Sequence, residues 1–326
     1  MERRSTAIIL ALVIGVSALT ITGFIVSTNR ADVRIGYLSQ DLHQLAFKVA
    51  LQKGWFAEAN LTVDQVEYGN GADEMVGFQA NQIDMGYLGV APALTLGINS
   101  QIPVTLLAGV NYEGSALMVK KDLYDDGIIT SVSDLVGKTI YYPGPSTVQS
   151  FLLRLALNQS GLSIADVNPQ QIRPQDMAIS LTDDAPAFIA WEPFPARAEA
   201  DGLAVPILLS GQIWPDHPCC VVAAANGFMN ANPAIVQKVI QIHIRAEQWI
   251  VSHPNESIQI ARDWLGMNEN TVEMAFNRII YDSALNRTGI EMYLRFLIEE
   301  DLVDLQISQM EPFLDGFLNQ TFSLPT

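Results

Sequence analysis

Polar and apolar positions fall into two regimes along the chain. From Ala7 to Val26 every residue is apolar, small or hydroxyl-bearing, with Arg3 and Arg4 just ahead of the run. As a helix, twenty such residues rise about 30 Å, the hydrocarbon thickness of a bilayer. The run has no polar face, which argues against a core helix. It predicts an N-terminal hydrophobic helix within residues 1–30, acting as a membrane anchor or a signal peptide. Val16-Ser17-Ala18 lies mid-run and Ser27-Thr28-Asn29 is a weak cleavage site, so the uncleaved anchor is favoured. Arg3 and Arg4 on the cytoplasmic side would place everything after Arg30 outside.

Beyond Arg30, short β-rich runs alternate with helical patterns. Val33–Leu38, Thr62–Tyr68, Asp84–Leu88 and Val104–Val110 read as strands, with helices at Gln44–Lys53, Ala72–Asn81 and Pro92–Ile98 between them. A second set follows: strands at Lys138–Tyr142, Ala187–Trp191 and Val205–Leu209, helices at Thr147–Ser160 and Phe194–Asp201. After a strand at Cys219–Ala225 the pattern turns helical. Pro233–Ser252 carries Ile235, Val239, Ile242, Ala246 and Trp249 on one stripe. Ser257–Leu265, Glu269–Ile279, Gly289–Glu300 and Met310–Leu318 continue as helices. Such alternation predicts an α/β fold of βαβ units with a mainly parallel sheet. Asp122–Ser133, polar and turn-rich, reads as a linker.

Composition narrows the function. A net charge of −17 over 326 residues, with no Lys/Arg run, argues against a nucleic-acid partner. Cys219 and Cys220 are adjacent and predict two buried thiols on a strand, since a ring between neighbours is strained. His43, His217, His243 and His253 have no metal-ligand spacing, so no metal is expected, and no cofactor motif appears. No GxSxG, P-loop, GxGxxG or HExxH occurs, and the chain is read as a non-enzyme.

An ordered series of short motifs points further. It comprises Val33-Arg34-Ile35-Gly36-Tyr37, Leu51-Gln52-Lys53-Gly54-Trp55-Phe56, Gln82-Ile83-Asp84-Met85-Gly86 and Gly89-Val90-Ala91-Pro92. Gly114-Ser115-Ala116-Leu117, Leu135-Val136-Gly137-Lys138-Thr139-Ile140 and Ala190-Trp191-Glu192-Pro193 complete it. Over Val33–Leu324 the chain resembles extracytoplasmic solute-binding proteins of ABC importers. The subgroup is the one that handles nitrate, sulfonate, taurine, bicarbonate and thiamine-pyrimidine precursors. The resemblance implies a type II periplasmic-binding-protein fold, two α/β lobes with a cleft and hinge. Residues 31–115 and 223–326 would form lobe 1, and 116–222 lobe 2. Asp122–Ser133 would cross into lobe 2 and Cys219–Ala225 return from it. The implied partners are a small-molecule solute, an ABC permease and its ATPase, and the membrane through the N-terminal helix. A pyrimidine-precursor-binding protein, a related enzyme and a ligand-sensing ectodomain are the alternatives.

Ligands of open α/β sheets sit at strand carboxyl ends beside helix N-termini. After the first strand, Ser39 and Gln40 can hydrogen-bond a ligand and His43 can donate to an anion, while Ser39 or Asp41 can instead simply cap the next helix. Gly89, Val90 and Ala91 offer backbone N–H groups at a helix start. Gly144, Ser146 and Thr147 offer the same with hydroxyls, Ser146 being also a candidate N-cap. Tyr112 and Glu113 precede the crossover. Trp191 can stack on or wall off a ligand; Glu192 can bind a donor, or be tied to backbone or an arginine such as Arg197. Glu113 and Glu192 beside a bare anion would repel it unless paired or protonated. A zwitterion or a neutral heterocycle would relieve that tension.

Overall fold

A computed structural model describes residues 31–323. The expected N-terminal helix lies outside the described residues; among those described, no helix is long and apolar enough to cross a membrane.

The chain begins as alternating β and α. Strands β1 (Val33–Leu38), β2 (Val63–Tyr68), β3 (Met85–Gly89) and β4 (Val104–Glu113) are separated by α1 (Leu45–Gln52), α2 (Trp55–Glu58), α3 (Gly71–Gln79) and α4 (Val90–Asn99). Next come β5 (Ser115–Lys120), α5 (Lys121–Asp125), β6 (Thr139–Tyr142), α6 (Val148–Gln159), β7 (Asn168–Gln171) and α7 (Pro174–Met177). They are followed by β8 (Ala187–Trp191), α8 (Phe194–Ala200), β9 (Ala204–Leu209) and α9 (Ser210–Ile213). The remainder is β10 (Pro218–Ala225), α10 (Asn226–Ala231), α11 (Pro233–Ser252), α12 (Pro254–Leu265), α13 (Glu269–Phe276), β11 (Ile279–Tyr281), α14 (Arg287–Glu299) and α15 (Met310–Phe317).

These strands sort into two sheets. One has the order β11-β4-β10-β3-β1-β2, the other β7-β6-β8-β5-β9. β1 runs parallel to β2 and β3, and β6 parallel to β7 and β8, as βαβ units dictate. The mainly parallel expectation fails elsewhere. β10 is antiparallel to both β3 and β4, and β5 is antiparallel to both β8 and β9. Neither β5 nor β10 is fed by a crossover helix packed on its own sheet. Each enters from the other sheet and so runs against its neighbours.

The crossings differ from those expected. The chain leaves the first sheet at Gly114, between β4 and β5, with Glu113 at φ 61° and Gly114 at φ 83°. It returns between Leu209 and Pro218, through α9. Asp122–Ser133 lies after β5, and its polar turns are surface of the second sheet's side of the molecule rather than a linker. Residues 218–222, assigned from sequence to lobe 2, belong to the first sheet because β10 pairs with β3 and β4. The helix expected over Glu269–Ile279 ends at Phe276, and Ile279 enters β11 beside β4.

The core follows the apolar runs. β8, Ala-Phe-Ile-Ala-Trp, is buried throughout, and so are all but the last two residues of β4. α11 buries Val236, Val239, Ile240, Ile242, Ala246 and Ile250, and packs with α12 against α1. Phe151 of α6 lies 4.4 Å from both Tyr293 and Phe296 of α14, joining helices from the two halves of the chain.

Candidate functional site

Three helices start at one cavity. Asn70 caps α3, its side-chain oxygen accepting the Asp73 N–H at 2.9 Å, and Gly71 is the first helical residue. α4 springs directly from β3 at Gly89. The two starts are so close that a Cβ on Gly71 would sit 2.6 Å from Pro92 Cγ. Thr147 caps α6, accepting the Ser150 N–H while donating to the Gly144 carbonyl at 2.7 Å. Asn70, Gly71, Gly89 and Pro92 form one wall, and Thr147, Val148 and Gln149 another. The first backbone N–H groups of a helix have no intrahelical acceptor and sit at its positive end.

The space between is small. Measured as room for the centre of a water-sized molecule, it is about 30 Å³, whereas a single water needs roughly 10–15 Å³ on that measure. Trp191, at the end of β8, lines it and is only 5% exposed. Its indole Nε1 is buried without a hydrogen-bond partner among the described residues. A buried N–H normally finds an acceptor, which makes this indole, on a residue that lines the cavity, a candidate donor to a ligand.

Asp41, His43, Cys219 and Cys220 also line the cavity. Asp41 caps the short turn after β1, accepting the His43 backbone N–H at 3.0 Å. His43 Nε2 lies 2.8 Å from the Gly114 carbonyl, tying the β1 loop to the crossing. The other ring nitrogen, Nδ1, lies 3.4 Å from Asp41 Oδ1, 3.6 Å from Cys219 Sγ and 3.7 Å from Cys220 Sγ. Neighbours on a regular strand face opposite ways. Here β10 slips register against β4 on both sides of Cys220, and the irregularity turns both sulfurs to one ring.

Charge in this corner is balanced internally. Burial disfavours the imidazolium, but Cys219 and Asp41 outweigh it and raise His43 to about 9. The Cys220 thiol, donating to Cys219, overcomes burial and with the His43 charge holds Cys219 well below the usual thiol range. Cys220 is correspondingly pushed up, first by that donated bond and then by burial. Burial also raises Asp41 to about 6, against the pull of His43.

The expected site residues divide. His43, Gly89, Thr147 and Trp191 meet at the cavity. Ser39 is half-buried outside its lining, and Gln40, at φ 52°, edges a separate surface hollow with Arg197 and Asn268. Val90 and Ala91 are packed into the first turn of α4. Tyr112 donates its hydroxyl to the Ala284 carbonyl at 3.1 Å, and Glu113 accepts the Asp216 N–H at 3.0 Å. Gly144 is the acceptor for Thr147, and Ser146 yields the capping role to Thr147. Glu192 is fully buried, accepting the Ala196 N–H and pairing with Arg278 at 3.1 Å. Arg197, the partner suggested by proximity in sequence, faces Asp201 instead. The two carboxylates that raised the repulsion problem are thus both held outside the cavity lining.

Sequence reasoning missed Asn70, Gly71 and Gln149. Asn-Gly between a strand and a helical pattern is a legible cap signal. It also placed no metal donors together, whereas the fold brings His43 to cysteines 176 and 177 residues away.

Comparison with known proteins agrees with this architecture. A binding protein of Brucella abortus is 24% identical over 261 residues, which is 78% of this chain and 78% of its own. Among solved structures, the periplasmic nitrate-binding protein NrtA of Synechocystis superposes with a TM-score of 0.78 at 15% identity, covering 89% of this chain and 86% of its own. The alkanesulfonate-binding protein SsuA of Xanthomonas axonopodis pv. citri, solved with MOPS bound, gives 0.76 at 17% identity over 90% and 99%. At those identities the likeness shows the fold, the two-sheet α/β periplasmic-binding-protein fold. Residues 27–266, most of the chain, match the NMT1-like family, and the chain belongs to that family.

Proposed function

We propose that the chain is the solute receptor of an ABC importer, binding a small oxoanion in the cavity where α3, α4 and α6 begin. The observation that carries this is a small space walled by three helix N-termini and lined by Trp191, whose buried Nε1 has no partner among the described residues. Nitrate, bicarbonate and the head of a sulfonate supply acceptors for such donors. The proteins of similar fold named for nitrate and alkanesulfonate binding support the same class. The cavity's size favours a ligand of a few non-hydrogen atoms over a heterocycle. Asp41 and Cys219 oppose an anion, and the charge on His43 offsets them.

An oxoanion here touches walls from both sheets. It would favour the arrangement in which those walls are close, since a ligand shifts an equilibrium only by its differential affinity. Gly114 and the Leu209–Pro218 segment are the places where the chain would bend. Residues 1–30 would hold the receptor at the outer membrane face, beside a permease driven by a cytoplasmic ATPase, with no catalytic step of its own.

Replacing Trp191 by Phe keeps the ring and removes the donor. A hydrogen bond to a charged group contributes about 1.5–3 kcal/mol, so calorimetric titration should show nitrate or sulfonate binding at least tenfold weaker. The variant should stay folded with a modest fall in melting temperature, because the smaller ring leaves part of a buried site unfilled while the N–H has no protein partner to lose. Equal affinity in a folded variant removes Trp191 from the site.

A further inference from the structure

The chain's two cysteines and His43 form a cluster of which oxoanion binding uses only the charge on His43. Their donor atoms all lie within 4.8 Å of one another, and all three residues are buried. The separations are informative. With metal–sulfur bonds of 2.3 Å and metal–nitrogen bonds of 2.0–2.1 Å, nitrogen and sulfur stand about 3.5 Å apart across a tetrahedral centre and about 3.8 Å across a trigonal one. Cys219 Sγ and Cys220 Sγ are 3.6 and 3.7 Å from His43 Nδ1.

The ring is also oriented for ligation. In a neutral imidazole only one nitrogen carries a proton, and the Gly114 carbonyl, 2.8 Å from Nε2, selects that one. Nδ1 is then the lone-pair nitrogen, aimed at the sulfurs, and the backbone carbonyl is the outer partner that fixes a ligating histidine. This approach requires glycine at the crossing, since a Cβ on Gly114 would lie 2.3 Å from Nε2. The register slip in β10 supplies the rest, presenting two consecutive cysteines to one point.

We propose that His43, Cys219 and Cys220 bind a thiophilic d10 cation, Zn(II) or Cu(I), at the cavity wall. Two thiolates and an imidazole select such ions over Mg(II) or Ca(II), which take oxygen ligands. Binding displaces to solvent whatever protons the two sulfurs and Nδ1 carry. This goes beyond the solute-receptor reading and stands or falls independently of it.

With only two cysteines in the chain, any thiolate-to-metal charge-transfer absorption reports this site alone. The full-length chain, reduced and stripped with a chelator, is titrated with Co(II) as a spectroscopic substitute for Zn(II). In a second arm it competes with a chromophoric chelator for Cu(I). The expected result is one equivalent bound in at least one arm, with a sulfur charge-transfer band in the Co(II) arm or chelator-beating affinity in the Cu(I) arm. The arm that binds identifies the ion. The double substitution C219S/C220S should abolish the band or weaken Cu(I) binding at least a hundredfold. If that variant does not fold, the wild-type band and stoichiometry decide. Binding in neither arm overturns the site, and so does Co(II) bound without a sulfur band when Cu(I) is not taken up, because the 35 acidic residues can hold Co(II) through oxygen.

Discussion

Single residues in the first sheet's core carry unusual protonation. His243 of α11 is fully buried, its Nε2 2.7 Å from the Gly109 carbonyl and its Nδ1 3.8 Å from Glu247. Tyr87 packs edge-on against the ring. Burial lowers His243 to about 4, only partly offset by the Gly109 carbonyl, and pushes Glu247 well above the carboxylate range. His243 is therefore neutral at pH 7. The unfolded chain binds a proton on this histidine below about 6.5 that the native protein refuses until about 4, so stability falls as pH drops through that window. The loss from this one residue approaches about 3 kcal/mol. Urea unfolding at pH 7 and pH 4.5 should show a smaller acid loss in His243→Gln than in wild type. An identical loss would mean that His243 titrates normally. None of this was visible in sequence, where His243 is one polar residue on an amphipathic stripe.

Among elements, the legible ones were those whose burial leaves a compositional mark. β1 and β8 were placed residue for residue because their apolar runs are buried on both faces. β7, Asn-Pro-Gln-Gln, is an exposed edge strand with no apolar pattern, and β11 is three residues long. Neither had a signal to read. The turn between α13 and β11 nevertheless holds Arg278, which reaches Glu192 after β8 and Glu199 in α8. Burial pushes Glu192 upward against the pull of Arg278, so the pair is closely matched rather than strongly stabilising. Removing the arginine alone is another matter. Arg278→Ala strands a fully buried carboxylate with one backbone donor and should cost about 3 kcal/mol in urea unfolding. A loss under about 1 kcal/mol would show that the contact behaves as a surface ion pair.

At the scale of the whole molecule, the two-sheet plan was readable and its crossings were not. Strand–helix alternation and the ordered motifs implied two α/β halves. The true crossing into the second sheet spans Glu113 and Gly114, two left-handed residues between continuous strands, too short to alter local composition. The polar Asp122–Ser133 stretch drew the eye instead, because surface turns and linkers share a composition. The cavity followed the same division. Loops after strands announced Gly89, Thr147 and Trp191, whereas the meeting of His43 with Cys219 and Cys220 depends on a register slip that no spacing encodes.

A small oxoanion held in this cavity would stabilise the folded chain. A thermal-shift series on the full-length chain with nitrate, bicarbonate, short alkanesulfonates, taurine and an aminopyrimidine tests it most directly. A ligand at a hundred times its dissociation constant stabilises the native state by about 2.7 kcal/mol. The solute-receptor assignment predicts a dose-dependent rise in melting temperature with at least one oxoanion and none with the aminopyrimidine. A rise with the aminopyrimidine alone, or with none of the compounds, would contradict it.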